Sequence, residues 1–168
     1  MAHKPSWVAN SFLARAREGG VKDVDHLKIQ KLVYCLHGWT LATRNEPAVG
    51  EFFEAWPYGP VLSSLYHAFK KHGRKPIKTY AADVDPASGE VKAFRVGDED
   101  NEFHEVFDEV WKKYKGLTGL QLSQLTHADG TLWWHARQRG DDYLDNADIR
   151  KHFVDLARQG REQAHESK

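Results

Sequence analysis

The sequence predicts a mainly α fold: a single helix-rich domain of about six to seven helices with a small β-hairpin or strand element. Three observations carry this. Apolar residues recur at i, i+3, i+4 and i+7 through most of the chain. The stretch Leu32–Ala42 is apolar or aromatic on all sides, which reads as a central helix surrounded by protein. Between Lys75 and Asp100 the helical period gives way to short apolar runs around a turn. The length of 168 residues suits one domain. A chain of this size buries roughly 70% of its unfolded surface and needs no disulfide or metal staple.

The elements follow in order. Ser6 is placed to cap a first helix through about Arg17, with Val8, Phe12 and Ala16 on one face, and Gly19-Gly20 stops it. Asp25 caps the second helix, whose stripe is Ile29, Leu32, Val33, Leu36 and Thr40. Gly38 inside that helix costs about 1 kcal/mol against Ala, which a close backbone crossing would repay. Glu46-Pro47 ends the helix, and Glu51–Trp56 reads as a short extended piece. Pro57, Gly59 and Pro60 make a turn; Pro60 equally suits the first position of the next helix, which carries Val61, Leu62, Leu65, Tyr66 and Phe69 and stops near Gly73. Ile77 to Tyr80 and Val91 to Val96 suggest two strands about an Asp85–Gly89 turn. Helices return at Asn101–Tyr114, Leu117–Leu125 and Leu132–Arg139, with a turn at Thr126–Thr131. A last helix spans Ala147–Arg158, capped by Asn146. The polar stretch from Gly160 reads as a frayed end.

Composition excludes several classes. Lys+Arg and Asp+Glu are 24 each, so the net charge is zero and the basic excess of a nucleic-acid binder is absent. Cys35 stands alone, which rules out an internal disulfide and fits a reducing cytoplasm. No apolar run reaches the ~18 residues of a membrane helix, and residues 1–7 hold no apolar signal core. Ten histidines invite a metal, but their spacing does not chelate one: Cys35 and His37 point about 200° apart on a helix, and no H-E-x-x-H or C-x-x-C occurs. Cys35 lies mid-helix among apolar residues, the setting of an inert core thiol. No G-x-S-x-G elbow or glycine-rich phosphate loop is present. Residues 117–139 have the outline of a helix-turn-helix, but Trp133 and Trp134 sit where base-reading side chains would stand.

What remains is aromatic. Lys31–Trp39 reads K-L-V-Y-x-x-H-G-W, Glu54–Val61 reads E-A-W-P-Y-G-P-V, and Ser64–Gly73 reads S-L-Y-x-x-F-x-x-x-G. These blocks, with L-S-x-L-T-H-x-x-x-x-x-W at Leu122–Trp133, resemble the Panacea domain, the SocA-like antitoxin family also known as phage-associated protein-like. Leu132 stands where many members have Pro. The resemblance covers about residues 8–157, so residues 1–160 are read as the domain and 161–168 as a flexible C-terminal tail.

The resemblance implies a mostly helical antitoxin of a type II toxin–antitoxin pair, neutralising a cognate protein toxin by direct binding. It implies no catalytic residue; spacing, apolar run length and net charge argue against a metal, a cofactor, a membrane partner and a nucleic-acid partner. An oligomer with the toxin is compatible with it. Some members instead deliver the toxin to a AAA+ protease, which is the alternative reading; an autorepressor acting through residues 117–139 and an enzyme using Cys35 or the histidines are further rivals. Tyr34, His37, Trp39, Trp56, Tyr58 and Tyr66 carry the match and are the candidate partner-binding residues. Trp and Tyr offer large rigid contact area with one polar handle. Trp39 and Trp56 are expected mainly in the core, Tyr58 and Tyr66 in contact with the partner. The Lys75–Asp100 segment is expected to vary with the toxin, because loops tolerate change.

Overall fold

The computed structural model describes residues 2–166. Its helices are α1 (Pro5–Glu18), α2 (His26–Arg44), α3 (Ser63–Phe69), α4 (Asn101–Tyr114), α5 (Gly119–His127), α6 (Leu132–Arg139) and α7 (Asn146–Glu166). Two antiparallel strand pairs accompany them: β1 (Glu54–Trp56) with β2 (Gly59–Val61), and β3 (Asp83–Val84) with β4 (Val91–Lys92). The fold is mainly α, as the periodicity predicts.

α2 is the axis. Every residue from Lys28 to Gly38 is buried, because α1, α3, α4, α5, α7 and β2 all pack on this helix. Asp25 caps it, its carboxylate accepting the Lys28 N–H at 2.8 Å. Asn45 closes it in the left-handed region at φ 56°. An apolar helix needs cover on all sides, and the short elements supply it. At Gly38 the Phe153 ring of α7 occupies the place of a side chain. A Cβ there would stand 2.1 Å from the Phe153 ring, so the close approach is made by a side chain and not by a second backbone.

Several boundaries differ from expectation, each for a local reason. Pro5 fixes φ and starts α1 at its first position, behind Lys4. Ser6 therefore lies inside the helix, and its hydroxyl donates to Asp83 instead of capping. Pro60 does not open α3; it sits in β2 opposite Ala55, and the helix begins at Ser63. The Ile77–Tyr80 strand does not form. Buried Asn10 of α1 takes both the N–H and the carbonyl of Ala81, and Ile77 N–H goes to Val24. With its polar groups engaged there, the chain first pairs at Asp83. α5 gains a Thr118–Gln121 capping box and runs on to His127. α6 starts at Leu132 behind a Thr131 cap; that first position is one where Pro is also at home. Asp145, one residue earlier than expected, accepts the Ala147 N–H at the start of α7. α7, expected to end at Arg158, continues to Glu166; Ser167 and Lys168 of the expected tail lie outside the described residues.

Overpacking a full core costs typically ~1–3 kcal/mol. Gly38→Ala is expected to lose about that much in chemical denaturation. In a Phe153→Leu background the same change should cost measurably less, because the clashing ring is gone. Equal costs in the two backgrounds would place the clash elsewhere.

Candidate functional site

The Pro57–Tyr58 turn joins β1 to β2 and carries Tyr58 outward, 73% exposed. Few residues of a helical protein hold such a hairpin by strand pairing alone, and here helix side chains do it. The carbonyls of Ala55, Trp56, Tyr58, Pro60 and Leu62 each meet a helix side chain. Arg137 Nη1 donates to Ala55 at 3.2 Å and Trp133 Nε1 to Trp56 at 2.6 Å, both from α6. Ser123 Oγ of α5 donates to Tyr58 at 2.9 Å. Lys31 Nζ of α2 donates to Pro60 at 2.7 Å. Gln30 holds both ends of Leu62: its amide donates to the carbonyl at 3.0 Å and its oxygen accepts the N–H at 2.9 Å. Each such bond nets ~0.5–1.5 kcal/mol, and leaving one buried acceptor bare costs ~1–3 kcal/mol. Gly59 is required on two counts: its φ is 109°, and a Cβ would stand 3.0 Å from Lys31 Cε.

Lys31 is fully buried. Burial strips water from its ammonium and pulls its pKa down to about 7, opposed only by the nearby Cys35 thiol. The same burial pushes Cys35 up to about 12, so its nucleophilic thiolate is scarce at neutral pH.

The six aromatic candidates separate into three groups. Tyr34 and His37 are core. Tyr34, 2% exposed, meets the Phe53 and Phe153 rings edge-on at 5.2 and 5.6 Å. Its phenol is held far above the ordinary value by burial. His37 Nδ1 accepts the N–H groups of Ala48 and Val49, so Nε2 carries the proton that goes to Asn146 Oδ1 at 2.9 Å. Burial lowers its pKa and keeps it neutral. Both residues bind α2 to its neighbours and present no surface to a partner. Trp39, half-buried, faces the other way. Its indole donates to Tyr114 Oη at 2.9 Å, and the Lys113 ammonium sits 4.6 Å over its ring. It lines an open groove of about 820 Å³ between α2 and α4, eight residues along the helix from Lys31 and so about 12 Å away. Trp56, Tyr58 and Tyr66 form the third group. Trp56, half-buried, meets Tyr66 at 5.0 Å, edge to face, and Tyr66 packs over His26 at 5.5 Å.

The structure adds two rings to this side. Leu144 N–H bonds Phe53, Ala55 N–H bonds Asp142, and Glu54 pairs with Tyr143 antiparallel, so residues 142–144 lie along the free edge of β1. Alternation buries Phe53 and Ala55 and turns Phe52, Glu54 and Trp56 outward, with Tyr143 opposite Glu54 on the same side. Phe52 is 60% exposed and Tyr143 59%. Period-2 reading of residues 52–56 marks Phe52; nothing local marks Tyr143, whose pairing spans about ninety residues of chain. Among the described residues no cluster of His, Cys, Asp and Glu could hold a metal ion, and no helix is long and apolar enough to cross a membrane.

The buried amine makes stability depend on pH in a defined direction. Between about 7 and its ordinary 10.5, unfolded Lys31 holds a proton that folded Lys31 has released. Stability therefore rises with pH across that window, by up to ~1.4 kcal/mol per pH unit, and the gain is lost as pH falls through 7. Cys35 acts oppositely above its ordinary 9.0. His26 and His37, lowered by burial, act below 6.5. Denaturation from about pH 7 to pH 8.5 is expected to show wild-type stability rising and Lys31→Met flat by comparison. Parallel curves would contradict the assignment.

Comparison with known proteins gives a family. The model of the family described as "Antitoxin SocA-like, Panacea domain" matches residues 29–134. That span holds the whole hairpin and its pins except Arg137. Antitoxin SocA of Caulobacter vibrioides (strain NA1000 / CB15N) is 33% identical over 126 residues, which is 75% of this chain and 66% of that protein. The match thus spans just under two thirds of the relative's length. No solved structure matches. With the family's model covering most of a chain whose motif residues build one pinned hairpin, this protein belongs to the SocA-like Panacea antitoxin family.

Proposed function

We propose that this chain is the antitoxin of a type II toxin–antitoxin pair and neutralises a protein toxin by binding it directly, with no catalytic step of its own. The contact face is the outer side of the hairpin: Tyr58, Tyr66 and Trp56, extended by Phe52 and Tyr143. One observation carries this reading. Large rings stand in solvent on and beside a hairpin whose Trp56, Tyr58 and Pro60 carbonyls are already occupied by Trp133, Ser123 and Lys31. A rigid aromatic surface loses little entropy on association, and a few ring anchors dominate the energy of an interface of about 800 Å² per partner. The lone, buried Cys35 suits work in the reducing cytoplasm. Tyr34 and His37 act as positioning residues beneath the face, and Trp39 lies outside it.

The test is affinity for the product of the adjacent gene, measured by calorimetry with folding checked by circular dichroism. Tyr58→Ala and Tyr66→Ala are each expected to weaken binding about tenfold or more, since anchors of this type are worth ~1–2 kcal/mol or above. Full affinity in both variants would overturn the reading.

A further inference from the structure

The edge next to the rings has its own chemistry. Residues 51–56 and 141–148 hold Glu51, Glu54, Asp141, Asp142, Asp145 and Asp148 and no Lys or Arg of their own, in a chain whose net charge is zero; Arg137 reaches the same edge and is engaged on the Ala55 carbonyl. Arg139 engages Asp141, Ser64 engages Glu51, and Asp145 caps α7. Among the described residues Glu54, Asp142 and Asp148 have no ion-pair partner.

Residues 142–144 face β1 through the Asp142 carbonyl and the Leu144 N–H. In an antiparallel pair the residue between them turns its own N–H and C=O the other way. Those groups of Tyr143 have no partner among the described residues, and its ring is exposed. An unpaired strand edge of this kind is a template for an added strand.

Resting on the antitoxin reading above, we propose that the Asp142–Leu144 edge takes an extended basic segment of the toxin as an added strand, with an arginine over Phe52 and Tyr143 and against Glu54. The main-chain pair of Tyr143 sets the strand in place. The guanidinium is planar, stacks on rings and pairs with carboxylates at once, which a lysine does less well. The carboxylates select the occupant. A second copy of this acidic edge repels the first, and a nucleic-acid backbone is repelled in the same way.

The test uses the full chain, isotopically labelled for NMR, and two end-blocked nonapeptides that alternate valine with arginine or valine with glutamate. The arginine peptide is expected to shift the Tyr143 amide and to slow its hydrogen exchange about tenfold, and the glutamate peptide to do neither. The double variant Glu54→Gln with Asp142→Asn, whose native side chains have no hydrogen bond or ion pair among the described residues, is expected to weaken the arginine peptide about fivefold and to melt at the wild-type temperature. Equal responses to the two peptides, or a Tyr143 amide that exchanges as fast with the arginine peptide as without it, overturns the proposal. Capture of the adjacent gene's product separates this from the antitoxin reading. Capture lost in Tyr58→Ala and Tyr66→Ala but undiminished in the charge-neutral double variant overturns the added strand and leaves the antitoxin reading in place. Capture undiminished in every variant overturns both.

Discussion

The hairpin carbonyls and the helix donors that meet them are the constraint on which the exposed face depends. A turn joining two strands of three residues has too little pairing to stand alone. Lys31, Ser123, Trp133, Arg137 and Gln30 come from three helices, and each reaches a different residue of the same short segment. α5 packs directly on α2, and α6 packs on α5 and α7, which both rest on α2, so the turn inherits the rigidity of the core. The exposed rings stand still because the polar groups below them have nowhere else to go.

α2 combines two demands that usually conflict. It is covered on every side, yet it carries Lys28 and Lys31 with no exposed surface. Burying an ammonium is costly unless it is paired or neutralised. The helix uses both answers. Lys28 keeps a partner carboxylate, Asp23, at 2.8 Å and the Lys115 carbonyl at 2.7 Å. Lys31 has a single carbonyl and a lowered pKa. The first ties α2 to the end of α4, the second ties it to the hairpin.

Local periodicity carries far enough to read the helices but not their polar contacts. The stripe of Ile29, Leu32, Val33 and Leu36 identifies α2, and Asp25 marks its start correctly. Pro60 misleads, because the same fixed φ suits a helix start and a strand edge; here it lies opposite Ala55 in β2 and its carbonyl takes the Lys31 amine. Ser6 misleads because Pro5 takes the start of α1. Lys31 stands about 200° from Ile29, on the face opposite that stripe, where a lysine usually snorkels to solvent. Its partner lies 29 residues away. Tyr34 and His37 belong to the motif for reasons of packing; the burial that makes them core is a tertiary fact, invisible in a run of residues all suited to interfaces. Trp56 meets Tyr66 only because the hairpin lies beside α3, and Tyr143 reaches β1 only through a non-local pairing with Glu54.

Because the pins grip main-chain oxygens, they are indifferent to which side chains the gripped residues bear. Positions 56 and 58 can thus change identity while Trp133 and Ser123 keep their acceptors. Gly59 has no such freedom. The scaffold and its decoration are separately heritable, and a lineage built this way can drift from one adversary to another without ever passing through an unfolded ancestor.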